Sequence, residues 1–204
     1  TAPSGVQPGD IFVNAPVSWS SVNSLTLTAH NNVNVKSSVI NSGTGSINIY
    51  AGWDGVSSAT SPTLTAGVGN ITLDPSILNV NNVRVSTLGS QTVGAGGSLI
   101  LNGGNSFFAR LEASAGQTIT AKNISVYGGS GTGGFADIRQ NGATANQNIT
   151  INGGGSVTLL GGSGSGNFAR IQSNGATQTM GFASGGILRL TGVSGTNADS
   201  ARIQ

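Results

Sequence analysis

Val126-Tyr127-Gly128-Gly129-Ser130-Gly131-Thr132-Gly133-Gly134-Phe135-Ala136-Asp137-Ile138 returns, little changed, as Leu159-Leu160-Gly161-Gly162-Ser163-Gly164-Ser165-Gly166-Asn167-Phe168-Ala169-Arg170-Ile171. An earlier copy reads Leu101-Asn102-Gly103-Gly104-Asn105-Ser106-Phe107-Phe108-Ala109-Arg110-Leu111, and a degenerate one runs from Leu190 to Ile203. No copy is large enough to bury an apolar face alone. A unit of this kind is stable only when stacked on its neighbours.

The first half repeats as well. Asp10-Ile11-Phe12-Val13 with Val17 aligns with Asn32-Val33-Asn34-Val35 with Val39, and Ser24-Leu25-Thr26-Leu27-Thr28-Ala29 aligns with Ser46-Ile47-Asn48-Ile49-Tyr50-Ala51. A third copy starts at Asn70-Ile71-Thr72-Leu73 with Ile77, after an inserted loop over 52–65 that holds Trp53 and Asp54. Apolar and polar residues alternate within each piece, which is the pattern of a strand with one buried face.

From residue 98 to 204 the unit lengthens and becomes Gly-rich but keeps three strand pieces. One holds Leu99, Ile124, Val157 and Leu188; the second holds Leu111, Ile138, Ile171 and Ile203; the third follows Gln91, Gln117, Gln147 and Gln178. Gly-Gly and Asn-Gly pairs between them are expected to supply the positive φ of sharp corners. The fold this predicts is all-β: a right-handed parallel β-helix, or solenoid, with three short strands per coil and about seven coils. Residues 1–204 form one domain, with 1–9 as an extended lead-in.

Equivalent positions in such a stack form columns. Leu111, Ile138, Ile171 and Ile203 are expected as a core column, and Phe108, Phe135 and Phe168 as another, stacked at one corner and filling the interior. Arg110 aligns with Asp137 and Asp137 with Arg170, while Glu112 aligns with Arg139. These opposite charges are read as fixing strand register.

Little else in the sequence carries chemistry. The eight basic residues are scattered singly along the chain and the net charge is +2, so no nucleic-acid footprint stands out. There is no Cys and a single His, His30. Neither a catalytic triad nor a nitrogen-rich metal site can be assembled, and no cofactor is expected. The six acids, Asp10, Asp54, Asp74, Glu112, Asp137 and Asp199, read as structural rather than as converging catalytic carboxylates, so the chain is not read as an enzyme.

The Gly-rich block lacks the Gly-Lys-Ser/Thr of a phosphate loop, and Gly133 and Gly166 stand where calcium-binding nonapeptides need Asp. Thr92, Thr118 and Thr179 align as an ice-binding row would, but Asn148 interrupts them. Trp53 with Asp54 reads first as an ordinary loop anchor, and it is also the one pair considered as a glycan contact. No apolar run reaches the length of a membrane helix, so no membrane insertion is expected.

Gly9-Asp10-Ile11-Phe12-Val13-Asn14-Ala15-Pro16-Val17-Ser18-Trp19, followed by Leu25 to Ala29 and Asn32 to Val35, resembles the filamentous haemagglutinin family of large exoproteins exported by two-partner secretion. The Gly-Gly-Ser-Gly-x-Gly-x-Phe-Ala-x-Ile block is similar to repeats of the same family. The resemblance implies a β-helical stalk at the surface of a Gram-negative bacterium or outside it. Such a stalk would serve adhesion, aggregation or biofilm structure, and an outer-membrane transporter would export the parent protein. The Asn-Pro-Asn motifs of the family's secretion domain are missing, as is any Arg-Gly-Asp.

The chain is therefore expected to be an excised stalk segment whose partners are a host or neighbouring-cell surface ligand. The break after Gln204, part-way through a coil, motivates an alternative: a subunit joined end to end with copies of itself in an extracellular fibre. A polysaccharide-binding or polysaccharide-acting β-helix is the third reading.

Overall fold

The computed structural model describes residues 9–75, 81–192 and 200–204. Residues 1–8 of the expected lead-in, Ile77 of the third copy and Asp199 lie outside the described residues. In chain order the strands are β1 (Ile11–Val13), β2 (Val17–Trp19), β3 (Leu25–Ala29), β4 (Val33–Val35), β5 (Val39–Asn41), β6 (Ile47–Ala51), β7 (Ile71–Leu73), β8 (Val83–Thr87) and β9 (Ser90–Asn102). They continue with β10 (Ala109–Ala113), β11 (Gly116–Tyr127), β12 (Ala136–Gln140), β13 (Asn146–Leu160), β14 (Ala169–Ser173), β15 (Thr177–Phe182), β16 (Ile187–Thr191) and β17 (Ala201–Ile203).

These strands form two sheets, and every strand pair is parallel. The 7-stranded sheet runs β17-β14-β12-β10-β8-β5-β2. The 10-stranded sheet follows β1-β4-β7-β9-β11-β13-β15, with β3, β6 and β16 beside that path. Each strand thus pairs with its counterpart in the next repeat, and the chain winds between the sheets as an all-β, solenoid-like stack.

The alternation in the sequence decides which side chains meet inside. β6 reads Ile-Asn-Ile-Tyr-Ala, with Ile47, Ile49 and Ala51 buried and the two residues between them partly exposed. Stacking turns such positions into columns. One runs Val39, Val85, Leu111, Ile138, Ile171 and Ile203. Another runs Val33, Ile71, Leu99, Ile124 and Val157, all buried, and ends at Leu188, which is exposed. Leu111, Ile138 and Ile171 are fully buried, and Ile203 packs against the same core while partly exposed. Each fully buried aliphatic side chain contributes about 1.5–3 kcal/mol.

Three expectations are corrected. Phe108, Phe135 and Phe168 do not belong to the core. They share the parity of Arg110, Asp137 and Arg170, two residues further on, so they stand on the outer face and are half-buried. The second correction concerns strand length. In β9, β11 and β13 two of the expected short pieces run together as one strand of 12 to 15 residues. The connection between the pieces is short enough there for the ladder to continue, with a register shift at Ala121/Asn123.

The third concerns glycine. Gly153 and Gly154, which follow Asn152, adopt the expected positive φ of 58° and 69°, but Gly128, Gly129 and Gly162 of other Gly-Gly pairs, and Gly142 and Gly175 of other Asn-Gly pairs, do not. A Cβ on Gly129 would instead strike the carbonyl oxygens of Gly103 and Gly104, because successive repeats stack backbone on backbone at this corner. Positive φ falls later in the block, at Gly131 and Gly133 (78° and 77°).

Gly129→Ala should therefore cost more than Gly133→Ala, since overpacking against fixed backbone costs about 1–3 kcal/mol. Gly133 has open space around its Cβ position and bears only the left-handed penalty, about 1–2 kcal/mol. Urea unfolding of the two variants measures the order.

Candidate functional site

The outer face of the 7-stranded sheet carries half of the charged residues. Arg84, Arg110, Asp137, Arg170 and Arg202 fall in one column, and Ser86, Glu112, Arg139 and Gln172 in the next. Basic residues that look scattered in the sequence are thus gathered on one face, which corrects the impression of isolated charges. Asp137 is fully buried between two guanidinium groups. Arg170 Nη2 lies 2.9 Å from Asp137 Oδ2 and Arg170 Nε donates to Oδ1 at 3.1 Å, while Arg110 Nε lies 3.2 Å from Oδ2. Burial pulls the Arg110 guanidinium below its ordinary pKa, and Asp137 and Glu112 act against that pull.

Glu112 aligns with Arg139 but does not pair with it. Its carboxylate turns to the preceding repeat, where Arg84 Nη2 lies 2.6 Å away, and also accepts from Asn141 Nδ2. Arg84 sits directly beside Arg110 in the ladder. Like charges in register repel, so Arg84 swings to the diagonal carboxylate.

On the same face the Phe rings stack at 4.8 and 4.6 Å with planes 7° and 11° apart, close to the separation of the strands that carry them. Arg110 lies over Phe108 and Phe135, and Arg170 over Phe168, at 4.6 to 5.2 Å. The result is a cation–π seam along the stack.

A second ladder runs inside and was passed over in the sequence. Gln117 Nε2 donates to Gln91 Oε1 at 2.8 Å, Gln147 to Gln117 at 2.7 Å and Gln178 to Gln147 at 2.6 Å. Gln91, Gln117 and Gln147 are buried. The signal was parity: each Gln sits two residues before a core residue, Val93, Ile119, Ile149 or Met180, and so points inward with it.

A third ladder lines the bend before β4, β7 and their counterparts. The Asn32 amide N–H donates to Asp10 Oδ1, that of Asn70 to Asn32 Oδ1, and that of Ser98 to Asn70 Oδ1, at 2.8 to 2.9 Å.

The insertion leaves at this same bend and spans 52–70, since pairing stops at Ala51 and resumes at Ile71. Trp53 and Asp54 anchor it. The Trp53 ring lies 4.7 Å from His30 and its Nε1 donates to Ser57 O. Asp54 accepts from the Val56 and Ser57 amides and the Ser57 hydroxyl, and these bonds hold its carboxyl below the usual range, the Ser57 hydroxyl contributing most.

The insertion then folds back over the 10-stranded sheet. Thr28 Oγ1 donates to Ala59 O at 2.6 Å and Gly67 N to Gly96 O at 2.7 Å. Between the insertion and the outer face of the sheet lies a cleft of about 520 Å3 lined by Tyr50, Pro62, Leu64, Thr92, Thr120 and Lys122 among others. Trp53 and Asp54 do not line it.

The other acids are held within the chain. Asp10 bonds Asn32, and Asp74 accepts from Asn102. Among the described residues, no three His, Cys, Asp or Glu side chains are grouped so as to hold a metal ion. Compared with known proteins, the chain matches no family model, no curated protein and no solved structure.

Asp137→Arg leaves two partly buried guanidinium groups facing a third, and breaking a buried pair costs about 3–5 kcal/mol. It should lower the melting temperature well beyond the effect of Asp54→Arg on the exposed insertion. Gln117→Leu removes the donor to Gln91 and the acceptor of Gln147 together, at about 1–3 kcal/mol for each buried group left unpaired. Calorimetry of the purified variants measures both losses.

Proposed function

We propose that the chain is a structural rod, built to hold its shape rather than to carry out a reaction. More specifically, it is a stalk segment of a secreted or surface-exposed bacterial adhesin of the filamentous haemagglutinin type. In this reading the two parallel sheets are faces of a right-handed β-helix with three strand pieces per coil. About seven coils at about 4.8 Å each make a section roughly 30–35 Å long. Export through an outer-membrane transporter of a two-partner system places it at the cell surface or beyond, in adhesion, aggregation or biofilm structure.

The observation that carries the reading is where the polar groups go. The ladders of Gln, of Asp and Asn, and of Arg with Asp137 each join one repeat to the next. Side chains that catalysis would need at a surface are here used to hold neighbouring repeats in register, and this favours a rigid spacer over an enzyme.

The test is made in the source cells. Antibodies raised against the chain should label intact cells or their matrix, and deleting its coding segment should reduce adherence or aggregation. The purified chain should leave polysaccharides uncleaved. Labelling only after lysis, or turnover of a polysaccharide, would overturn the reading.

A further inference from the structure

The cleft beside the insertion has fixed walls and a single charge. On one side stand Pro62, Leu64 and Ala66 of the insertion. The floor is the outer face of the sheet. There Gly94 pairs between Tyr50 and Thr120, and a Cβ on Gly94 would come within 2.9 Å of both the Tyr50 ring and Leu64. Tyr50 and Leu64 thus lean together over a position kept free of side chain.

The rim also holds Asn152 and Lys122, whose Nζ lies 4.0 Å from the Cβ position of Gly67. Lys122 lies at the register shift between Ala121 and Asn123, a single residue opposite Gly96 and Gly97 on one side and residues 152–155 on the other. It is exposed, and its ammonium has no salt bridge among the described residues. No acid lines the cleft. Two backbone hydrogen bonds, Gly67 N to Gly96 O and Gly97 N to Gly69 O, bind the insertion to the sheet at 2.7 and 2.9 Å. The cleft is therefore formed before any ligand arrives.

These groups define the ligand. An aromatic ring and aliphatic walls suit the C–H face of a pyranose. The Tyr50, Thr92 and Thr120 hydroxyls and the Asn152 amide suit its hydroxyl groups. The lone ammonium suits a carboxylate, and the volume lies within the roughly 300–1,000 Å3 of small-ligand sites. Burial raises the Tyr50 pKa, with its hydrogen bond to Thr92 acting the other way, so the phenol keeps its proton at neutral pH and can donate to a sugar oxygen.

We infer that the cleft binds an acidic sugar unit, a hexuronate of a polysaccharide, with the ring against Tyr50 and Leu64 and the carboxylate on Lys122. The inference does not rest on the rod reading, and either can fail alone.

The intact chain is titrated by calorimetry with oligogalacturonate and oligoglucuronate, with their neutral galactose and glucose counterparts, and with the free monosaccharide acids. Saturable binding is expected for at least one acidic oligomer, tighter than for the matching neutral oligomer or free acid. Lys122→Gln, on an exposed side chain, should weaken it about tenfold, a loss of about 1.4 kcal/mol. Ala66→Asp, which sets a carboxylate in the wall, should abolish it, and Lys36→Gln should leave it unchanged. No saturable binding to either acidic oligomer overturns the inference. So does less than about a threefold loss in Lys122→Gln, or equal affinity for the neutral oligomer or the free acid.

Discussion

Parallel strands stacked in register place every side chain about 4.8 Å from its own counterpart in the next repeat. The rest of the structure follows from that constraint, because each position must accept a near-copy of itself as its closest neighbour. Aliphatic residues do so readily, as in the column from Val39 to Ile203. Gln does so by donating with its amide nitrogen and accepting with its oxygen, and Phe by stacking its rings. Charges cannot. The arginine column is stable because Asp137 interrupts it and because Arg84 leaves the column for Glu112.

Much of this was legible in the sequence because the repeat alignment is itself the register. Setting Ala109-Arg110-Leu111 above Ala136-Asp137-Ile138 gives the pairing found between β10 and β12. Parity, applied without exception, would also have put Phe108 outside and Gln117 inside; residue type suggested the opposite for Phe. What alignment cannot supply is rotamer choice. Glu112 has a basic residue on the repeat at either side, and the repulsion between Arg84 and Arg110 decides which one it takes. The cleft was not legible either, since it exists only where 52–70 folds back on a face formed by residues before and after it.

The bend between the two pieces of the 10-stranded sheet tolerates large changes of length. The link from Ala51 to Ile71 is far longer than those from Ala29 to Val33, from Ala95 to Leu99 and from Ala121 to Ile124, yet the strands on both sides keep register. The Asp and Asn ladder explains this, because it ties the backbone just downstream of each link to the repeat before it. Surface loops placed by a rigid scaffold are where recognition develops, and in this chain the cleft is found at the longest such link.

The glutamine ladder has a direction. Each amide donates toward the amino-terminal side and leaves its carbonyl facing the carboxy-terminal side, so the bond dipoles add head to tail and polarise one another. A repeat arriving from the carboxy-terminal side brings a donor to an acceptor already in place, whereas one arriving from the other side must align its carbonyl with a donor that Gln91 has directed to Val85 O. The ladder thereby presents a ready acceptor to a repeat added at its carboxy-terminal side. A chain that emerges through a pore amino terminus first would find each new repeat templated by the one already folded.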